Sequence, residues 1–420
     1  MKVGMIGLGK LGLPVAVAMA HQGHDVTGYD ANPQRMSKNP PAEAEAGLDG
    51  GVRGFDALLA SSTIKFDTLE GTVRDAEIIF VAIQTPHQPQ FEGVTPLPPS
   101  RADFDYIHLV RAVGSLVPWV VRDTPVVIIS TCLPGTVARE ILPVCSVNPH
   151  IRICYNPFFI AMGTVVYDFL NPEFVLLGVD DPWAGDQVEQ FYKETIPWAG
   201  VRRMSIPSAE LTKVAYNTYI SFKIGFVNLL QEICHKIPGS NVDDVTNALK
   251  CADKRLISTA YMSAGMGDGG GCHPRDNIAM SYLAETLDLG FDLFESVMLA
   301  RQGHAEWIAR IIINKHQTTG LPVVVLGVAF KPETNLITGS PSRLVVHYLK
   351  RRIREDLISV YDPHVLPDHS VEWKPAIYFI GCKHAWSETY LPPEGSVVID
   401  PFRYWVRRPG IEYIPLGKGV

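Results

Sequence analysis

What this 420-residue chain most plainly lacks is a set of pairable cysteines. Its seven (Cys132, Cys145, Cys154, Cys234, Cys251, Cys272 and Cys382) are odd in number, scattered, and form no Cys-x-x-Cys. Neither a disulfide framework nor a zinc ribbon is expected, and a reducing, cytoplasmic setting is. Also missing at the N-terminus are the charged and then apolar segments of a signal peptide, because a strand pattern begins at Lys2. No apolar run reaches membrane-spanning length. The longest, residues 214–233, is interrupted by Asn217, Lys223, Asn228 and Gln231; these are costly in lipid, so the run reads as a buried helix. Positive charge is not in excess. A net charge of -7 and a pI near 6.0 argue against nucleic acid or an anionic membrane as the main partner.

What is present is the composition of a globular protein, 46% hydrophobic and 19% charged, in a chain too long for one core, so two or three domains are expected. Lys2 to Ile6 is a short apolar strand running into Gly7-Leu8-Gly9-Lys10-Leu11-Gly12, with helical character from Leu13 to His21. This is Gly-x-Gly-x-x-Gly in the context that gives it meaning. The first glycine permits a tight turn, the second lets a pyrophosphate approach backbone, and the third lets helix pack closely on strand. Free N–H groups at the helix start, with Lys10 and Leu11 in the turn, then face the phosphates. A second strand over 24–29 ends in Asp30, eighteen residues beyond Gly12 (30 − 12). A carboxylate there accepts from ribose hydroxyls and repels a 2′-phosphate, so the pattern predicts NAD and not NADP.

Residues 77–83 and 125–129 read as buried parallel strands. They end at Gln84-Thr85-Pro86 and at Ser130-Thr131-Cys132. Ligands of open α/β sheets lie at the carboxyl ends of strands, so Thr85, Pro86 and Thr131 are expected to line the cofactor cleft; the two threonines are equally suited to capping a following helix. Between them, residues 87–101 are rich in proline and polar residues and read as a loop of no legible function. After a strand near 173–178, Ser208 reads as the N-cap of a helix of about seven turns ending at His235. Apolar residues all round it imply burial on several sides, as in a helix that links two domains and packs on its twin in a dimer. Lys213 and Asn217, four residues apart, share one of its faces. Strands over 321–327 and 357–361 repeat the opening βαβ pattern without its glycines, which predicts a second Rossmann-like domain for a different ligand. The fold class is therefore α/β, two Rossmann-like doubly wound domains joined by a long central helix and a helical dimerisation domain, with boundaries at 1–205, 206–312 and 313–420.

Gly265 to Asn277 carries five glycines in the seven residues before Cys272. Glycine makes helix and strand entropically costly, so the stretch reads as a loop that lets backbone approach a ligand. Taken alone, a cysteine in such a turn is more often an inert buried thiol, and only its context overturns that reading.

Four motifs, in order and over nearly the whole chain, resemble the nucleotide-sugar 6-dehydrogenases, to which UDP-glucose and GDP-mannose dehydrogenases belong. Gly7 to Pro14 is similar to the family's Gly-x-Gly-Tyr-Val-Gly-Leu-Pro. Glu210-Leu211-Thr212-Lys213, with Asn217 and Asn228, is similar to its central-helix signature. Gly270 to Asp276 resembles its Gly-Gly-x-Cys-x-Pro-Lys-Asp loop, with Arg275 in place of lysine. Phe330-Lys331-Pro332-x-Thr334 and Ser340-Pro341 resemble its sugar-nucleotide motif. The resemblance implies oxidation of a sugar C6 alcohol to a carboxylate by NAD, with UDP-glucose the default substrate and a homodimer the default assembly. Cys272 is then the nucleophile that traps the aldehyde as a thiohemiacetal and carries the thioester. Lys213 and Asn217 stabilise negative charge on oxygen, and Asp276 handles a proton or a water. Gly269, Gly270, Phe330 and Lys331 meet the nucleotide sugar, as does Arg255, which in relatives reaches across to the other subunit's substrate.

Two positions depart from that pattern. Phe158 stands where the family has a glutamate that assists thioester formation or hydrolysis, and Thr338 stands where it has an arginine at the NAD site. Oxidation that stops at the aldehyde, a two-electron hydroxyacid-type dehydrogenase without a cysteine step, and a non-catalytic nucleotide-sugar-binding homologue are the competing readings. No metal site is expected at Cys272 and His273, since adjacent residues rarely aim at one ion.

Overall fold

Short, uninterrupted apolar runs form the interior strands of a large sheet. The structure, a computed structural model, describes residues 1–39, 48, 54–253, 263–267, 270–286, 292–367 and 370–418. Packing divides the chain into two units. The first comprises Met1–Pro86 and Phe104–Ala215, the second His87–Asp103 and Tyr216–Val420.

The first unit holds β1 (Lys2–Ile6), β2 (Asp25–Tyr29), β3 (Lys65–Phe66), β4 (Ile78–Val81), β5 (Thr124–Ile128), β6 (Ile151–Tyr155), β7 (Val175–Val179) and β8 (Val201–Met204). They form one sheet in the order β3-β2-β1-β4-β5-β6-β7-β8. Neighbours run parallel except β6 and β7. The first six strands follow the doubly wound order 3-2-1-4-5-6, whose switch point lies between β1 and β4. Every residue of β4 and β5 is buried, which is why they read as continuous apolar runs and not as alternating ones. β8 had no counterpart in the sequence reading; its exposed Arg202 and Arg203 mark a charged edge strand. The first helix, Gly12–His21, is buried from Gly12 to Ala20.

In the second unit β9 (Val323–Leu326), β10 (Ile358–Tyr361), β11 (Ile377–Ile380), β12 (Val397–Asp400) and β13 (Glu412–Pro415) form an all-parallel sheet in the order β10-β9-β11-β12-β13. Alternate residues serve opposite faces. Val323, Val325, Ile377 and Phe379 pack with Ile308 and Ile312 of the helix Leu293–Thr319 and with Leu344 of the helix Pro341–Lys350. Val324, Leu326, Tyr378 and Ile380 pack on the other side with Trp405. Both faces are thus covered, as a parallel sheet requires.

The central helix runs Ile206–Lys236, 31 residues, or about 46 Å at 1.5 Å per residue. It opens two residues before Ser208, which corrects the expected cap. Pro207 is tolerated in a first turn, Ser205 precedes it with its carbonyl accepting from Ala209 N (3.0 Å), and Ser205 Oγ donates to Ser208 Oγ (2.9 Å). The glycine-rich loop also ends earlier than expected. Cys272 is the first residue of a helix, Cys272–Thr286, and Pro274 sits in its first turn, where an amide proton is not needed.

Candidate active site

The candidate cofactor cradle lies in the first unit, at the β1–β4 switch point. Gly7 has φ +91°, and a Cβ there would meet Ala82 O at 2.5 Å. A Cβ on Gly12 would fall 1.9 Å from Gly7 O, so the third glycine is fixed by the closeness of helix to strand. Asp30 accepts from Leu8 N (2.7 Å) and Asn32 N (2.7 Å), which holds its carboxylate beside the glycine turn. Lys10 and Leu11 are partly exposed in that turn. Arg35, which sequence reasoning passed over, brings its guanidinium within 2.6 Å of where a Gly9 Cβ would be; a cation five residues after the acid was the available signal. At the next strand ends, Thr85 Oγ1 donates to Thr131 O (2.9 Å), and Pro86 O accepts from Asp105 N (2.8 Å). Thr85 therefore ties β4 to β5 and caps no helix, and the helical turn after β5 starts beyond Thr136. Glycines without room for a side chain, an acid at the end of β2 and strand ends lined by hydroxyls fit a dinucleotide.

The same unit carries Lys213. It is 8% exposed, donates to Phe158 O (2.8 Å) and lies 5.0 Å from the Phe159 ring. The family glutamate position thus contributes a backbone carbonyl, while the Phe158 side chain packs edge-on against Phe169, centroids 5.4 Å apart. One turn earlier on the helix, the buried Glu210 accepts from Gly135 N (2.6 Å) and Val137 N (2.8 Å), tying the central helix to the loop after β5. Burial pushes its carboxyl up against these stabilising bonds.

The cysteine helix lies in the second unit. Cys272, its first residue, is exposed. One turn on, Asp276 is fully buried; it accepts from Asn217 Nδ2 and pairs with Arg275, Nη2 to Oδ1 3.1 Å. The structure thus brings together Asn217, Asp276 and the start of the Cys272 helix. His273 Nδ1 lies 2.9 Å from Ser221 Oγ, a second tie to the central helix. Asn228 grips the glycine loop, donating to Gly267 O (2.7 Å) and accepting from Gly265 N (3.2 Å).

The glycines admit the protein's own chain. At Gly270, φ +118°, a Cβ would meet the Phe330 ring at 2.7 Å; at Gly271 it would meet Thr338 O at 2.8 Å. The loop after β9 therefore lies directly on the cysteine loop and sets Phe330 and Lys331, Nζ 5.6 Å from the Phe330 ring, beside it. Thr338 contributes its carbonyl to this contact, and its side chain is exposed. Arg255 and Gly269 lie outside the described residues.

Residues 87–103 acquire a place that the sequence did not reveal. Phe91 packs with Ile278 and Met298, and Arg101 donates to Ser281 Oγ (2.9 Å) and pairs with Glu295. The segment straps the cysteine helix to its neighbour. His87 lies near Arg275 and Asp276, and burial and then the Arg275 charge pull its pKa down to about 4.

Comparison with known proteins bears on this arrangement. Residues 1–196 match the model of the UDP-glucose/GDP-mannose dehydrogenase family, NAD binding domain, and residues 207–301 match its central domain. The chain is 29% identical over 393 residues to UDP-glucose 6-dehydrogenase YwqF of Bacillus subtilis, covering 90% of this chain and 84% of that protein. It is 29% identical over 368 residues to UDP-glucose 6-dehydrogenase of Rhizobium meliloti, covering 83% and 79%. Among solved structures it is similar to a UDP-glucose dehydrogenase from the archaeon Pyrobaculum islandicum, TM-score 0.78, 25% identity, covering 100% of this chain and 98% of that one. The fold is shared with UDP-D-ManNAc dehydrogenase from Pyrococcus horikoshii, TM-score 0.80, 20% identity, covering both chains in full.

Proposed function

Because the chain belongs to the UDP-glucose/GDP-mannose dehydrogenase family, and so is an NAD-dependent nucleotide-sugar dehydrogenase, we propose that it oxidises the C6 hydroxyl of its sugar through a covalent bond to Cys272, with UDP-glucose as the default substrate. The observation that carries this reading is the pairing of Asn217 with the buried Asp276 one turn below an exposed Cys272.

NAD, when bound, supplies the hydride acceptor for both oxidation steps. Gly7, Gly9, Lys10, Leu11 and Gly12 would hold its phosphates and Asp30 its ribose, with Thr85, Pro86 and Thr131 lining the rest of its cleft. Lys213, one turn before Asn217 on the central helix, is a buried cation suited to the negative charge that develops on the substrate oxygen. The Cys272 sulfur attacks the aldehyde carbon, giving a thiohemiacetal whose oxidation yields a thioester. The N-terminal end of the cysteine helix, the positive end of its dipole, suits the oxyanion of that step. Asp276 orients or deprotonates the water that releases the uronate. Phe330, Lys331, Gly269, Gly270 and Arg255 contact the nucleotide sugar.

One observation favours a second reading. Phe158 offers no carboxylate, so release of the acid is slow and oxidation halts at the covalent or aldehyde stage. Counting NADH per sugar over a panel of nucleotide sugars, with mass spectrometry of the protein during turnover, separates the two. Two NADH per sugar and a transient Cys272 adduct support the full reaction. One NADH per sugar, undiminished by Cys272→Ala, refutes covalent catalysis, and no NADH with any nucleotide sugar removes the activity altogether.

The assembly belongs to the same proposal. Tyr219, Phe222 and Phe226 are 51%, 47% and 46% exposed at spacings of three and four residues, an apolar stripe along the central helix suited to its twin in a homodimer. Seven cysteines, none of them in a disulfide, support a reducing, cytoplasmic setting. Among the described residues no helix is long and apolar enough to cross a membrane.

A further inference from the structure

Glu333, His364 and His384 are separated by 31 and 20 residues (364 − 333, 384 − 364) and match no metal-binding spacing. The second sheet nevertheless gathers them at the carboxyl ends of three adjacent strands. Glu333 lies in the loop after β9, His364 just past β10 and His384 just past β11. This is the switch point of that sheet, the crevice where ligands of such folds bind. Gly327, φ +89°, marks how tightly the strand ends meet there: a Cβ would lie 2.6 Å from Cys382 Cβ and 3.0 Å from His384 Cδ2.

One ligand atom from each of the three residues falls within 4.8 Å of the others. His364 Nε2 lies 3.1 Å from Glu333 Oε2, and His384 Nδ1 lies 3.7 Å from Glu333 Oε1. Ligands placed at 2.0–2.2 Å around one ion stand roughly 3–4 Å apart, so the cluster is already near that size. Its support is also built. The Glu333 amide donates to His384 Nδ1 (3.1 Å), which puts the ring proton on Nε2, 3.3 Å from Asp362 Oδ2. Asp362 is held in turn by the amides of Val328 (2.7 Å) and Ala329 (2.9 Å). A buried carboxylate orienting a histidine from behind is the arrangement that aims metal ligands. Glu333 is one of two non-glycine residues at positive φ among the described residues, φ +58°, with Oε1 pinned by Ala385 N (2.9 Å). Such strain concentrates at functional positions. The Glu333 and His364 side chains are 37% and 33% exposed, which leaves an ion a way in.

We propose that Glu333, His364 and His384 form a site for a divalent transition-metal ion of the zinc and cobalt class, with Asp362 orienting His384. The ion takes the place of the Glu333 amide at His384 Nδ1. It also turns the more exposed His364 ring out of its stack on His384, where the centroids are 4.8 Å apart. Since Glu333 follows Lys331 by two residues, the ion fastens the loop that carries Phe330 and Lys331 to β10 and β11. Metal binding at these residues is independent of the reaction assigned to Cys272.

Cobalt(II) titration of the full-length protein after chelator treatment tests the site. One ion per chain is expected, with the visible absorption of a four-coordinate cobalt centre and displacement by zinc. Glu333→Gln and His364→Gln should each weaken binding at least tenfold, Asp362→Asn by roughly 10–100-fold, and Cys272→Ser should leave it unchanged. Absence of stoichiometric binding to the folded wild type overturns the site. Binding that survives both glutamine variants, or that follows Cys272→Ser, overturns it equally, and the cluster is then a hydrogen-bond network only. Thermal melts of the metal-free variants establish that they fold; if one does not, the wild-type titration still decides.

Discussion

Replacing Gly271 by alanine places a methyl carbon 2.8 Å from Thr338 O and 3.3 Å from Thr338 C. Both are backbone atoms with little freedom to retreat, so two loops must separate or the start of the cysteine helix must shift. Overpacking of this kind costs about 1–3 kcal/mol. The second unit contains roughly 220 residues, and at ~2.1 cal/mol/K per residue its unfolding entropy is about 0.46 kcal/mol/K, so the melting temperature should fall by about 2–6 °C. The natural control is Gly303→Ala in the helix Leu293–Thr319, where the new methyl meets nothing within 4 Å. There, alanine gains about 0.5–1 kcal/mol of helix propensity and raises the same melt by about 1–2 °C. One substitution type thus acts with opposite signs in one unit. Near-UV circular dichroism melts give the shift. NADH formation with UDP-glucose shows whether a displaced Cys272 loses activity beyond the loss of stability. A Gly271→Ala protein that melts at or above wild type with unimpaired turnover would refute the close approach of the two loops.

Three more outcomes rest on particular contacts. Burial, with Arg275 adding to it at His87, lowers the pKa of His87 and His304 from 6.5 to about 4, while the unfolded chain takes up these protons near 6.5. The unfolded state therefore binds more protons between the two values, and stability should drop as pH falls from about 6.5 to 4, by at most about 3 kcal/mol per histidine. Above pH 6.5 neither group contributes a slope; urea melts of His87→Gln and His304→Gln with the same acid loss as wild type would contradict this. Asp30→Asn keeps an acceptor for Leu8 N but removes the charge, so the NAD/NADP preference measured as a kcat/KM ratio should fall by about 10-fold or more; an unchanged ratio would show that Asp30 does not read the ribose. Phe222→Glu puts a charge into the exposed aromatic stripe of the central helix, and light scattering should show weakened dimerisation with little loss of monomer stability, whereas an unaltered assembly would move the interface elsewhere.

The sequence was most readable where short-range rules decide the outcome. Gly7, Gly9 and Gly12 are dictated by a turn and a helix that pack within a few residues of each other, and β4 and β5 declare themselves by having no polar face. The central helix was legible in extent but not at its start, because Pro207 permits a first turn ahead of the better-looking cap Ser208. Cys272 was legible as a reactive candidate through its glycines, yet its place as a first helical residue was not, since the helical signal lies in the residues C-terminal to it and Pro274 masks that signal. Long-range pairing was silent. Nothing near Arg101 foretells Ser281 and Glu295, and nothing near Glu333 foretells His384. At Phe158 the sequence showed the loss of a carboxylate, but only the structure supplies what stands there in its place, a carbonyl that accepts from Lys213.

The strap of residues 87–103 also sets a schedule. The chain leaves the first unit after Pro86, joins the second, and returns at Phe104. On a ribosome, Phe91 emerges 187 residues before Ile278 (278 − 91), a delay of about 10–40 s at ~5–20 residues per second. Throughout that interval the first unit can complete its sheet while the strap, with its aromatic ring and Arg101, has no surface to lie on. The proline-rich, polar composition that made this stretch look featureless suits a segment that must stay unaggregated until its partners are made.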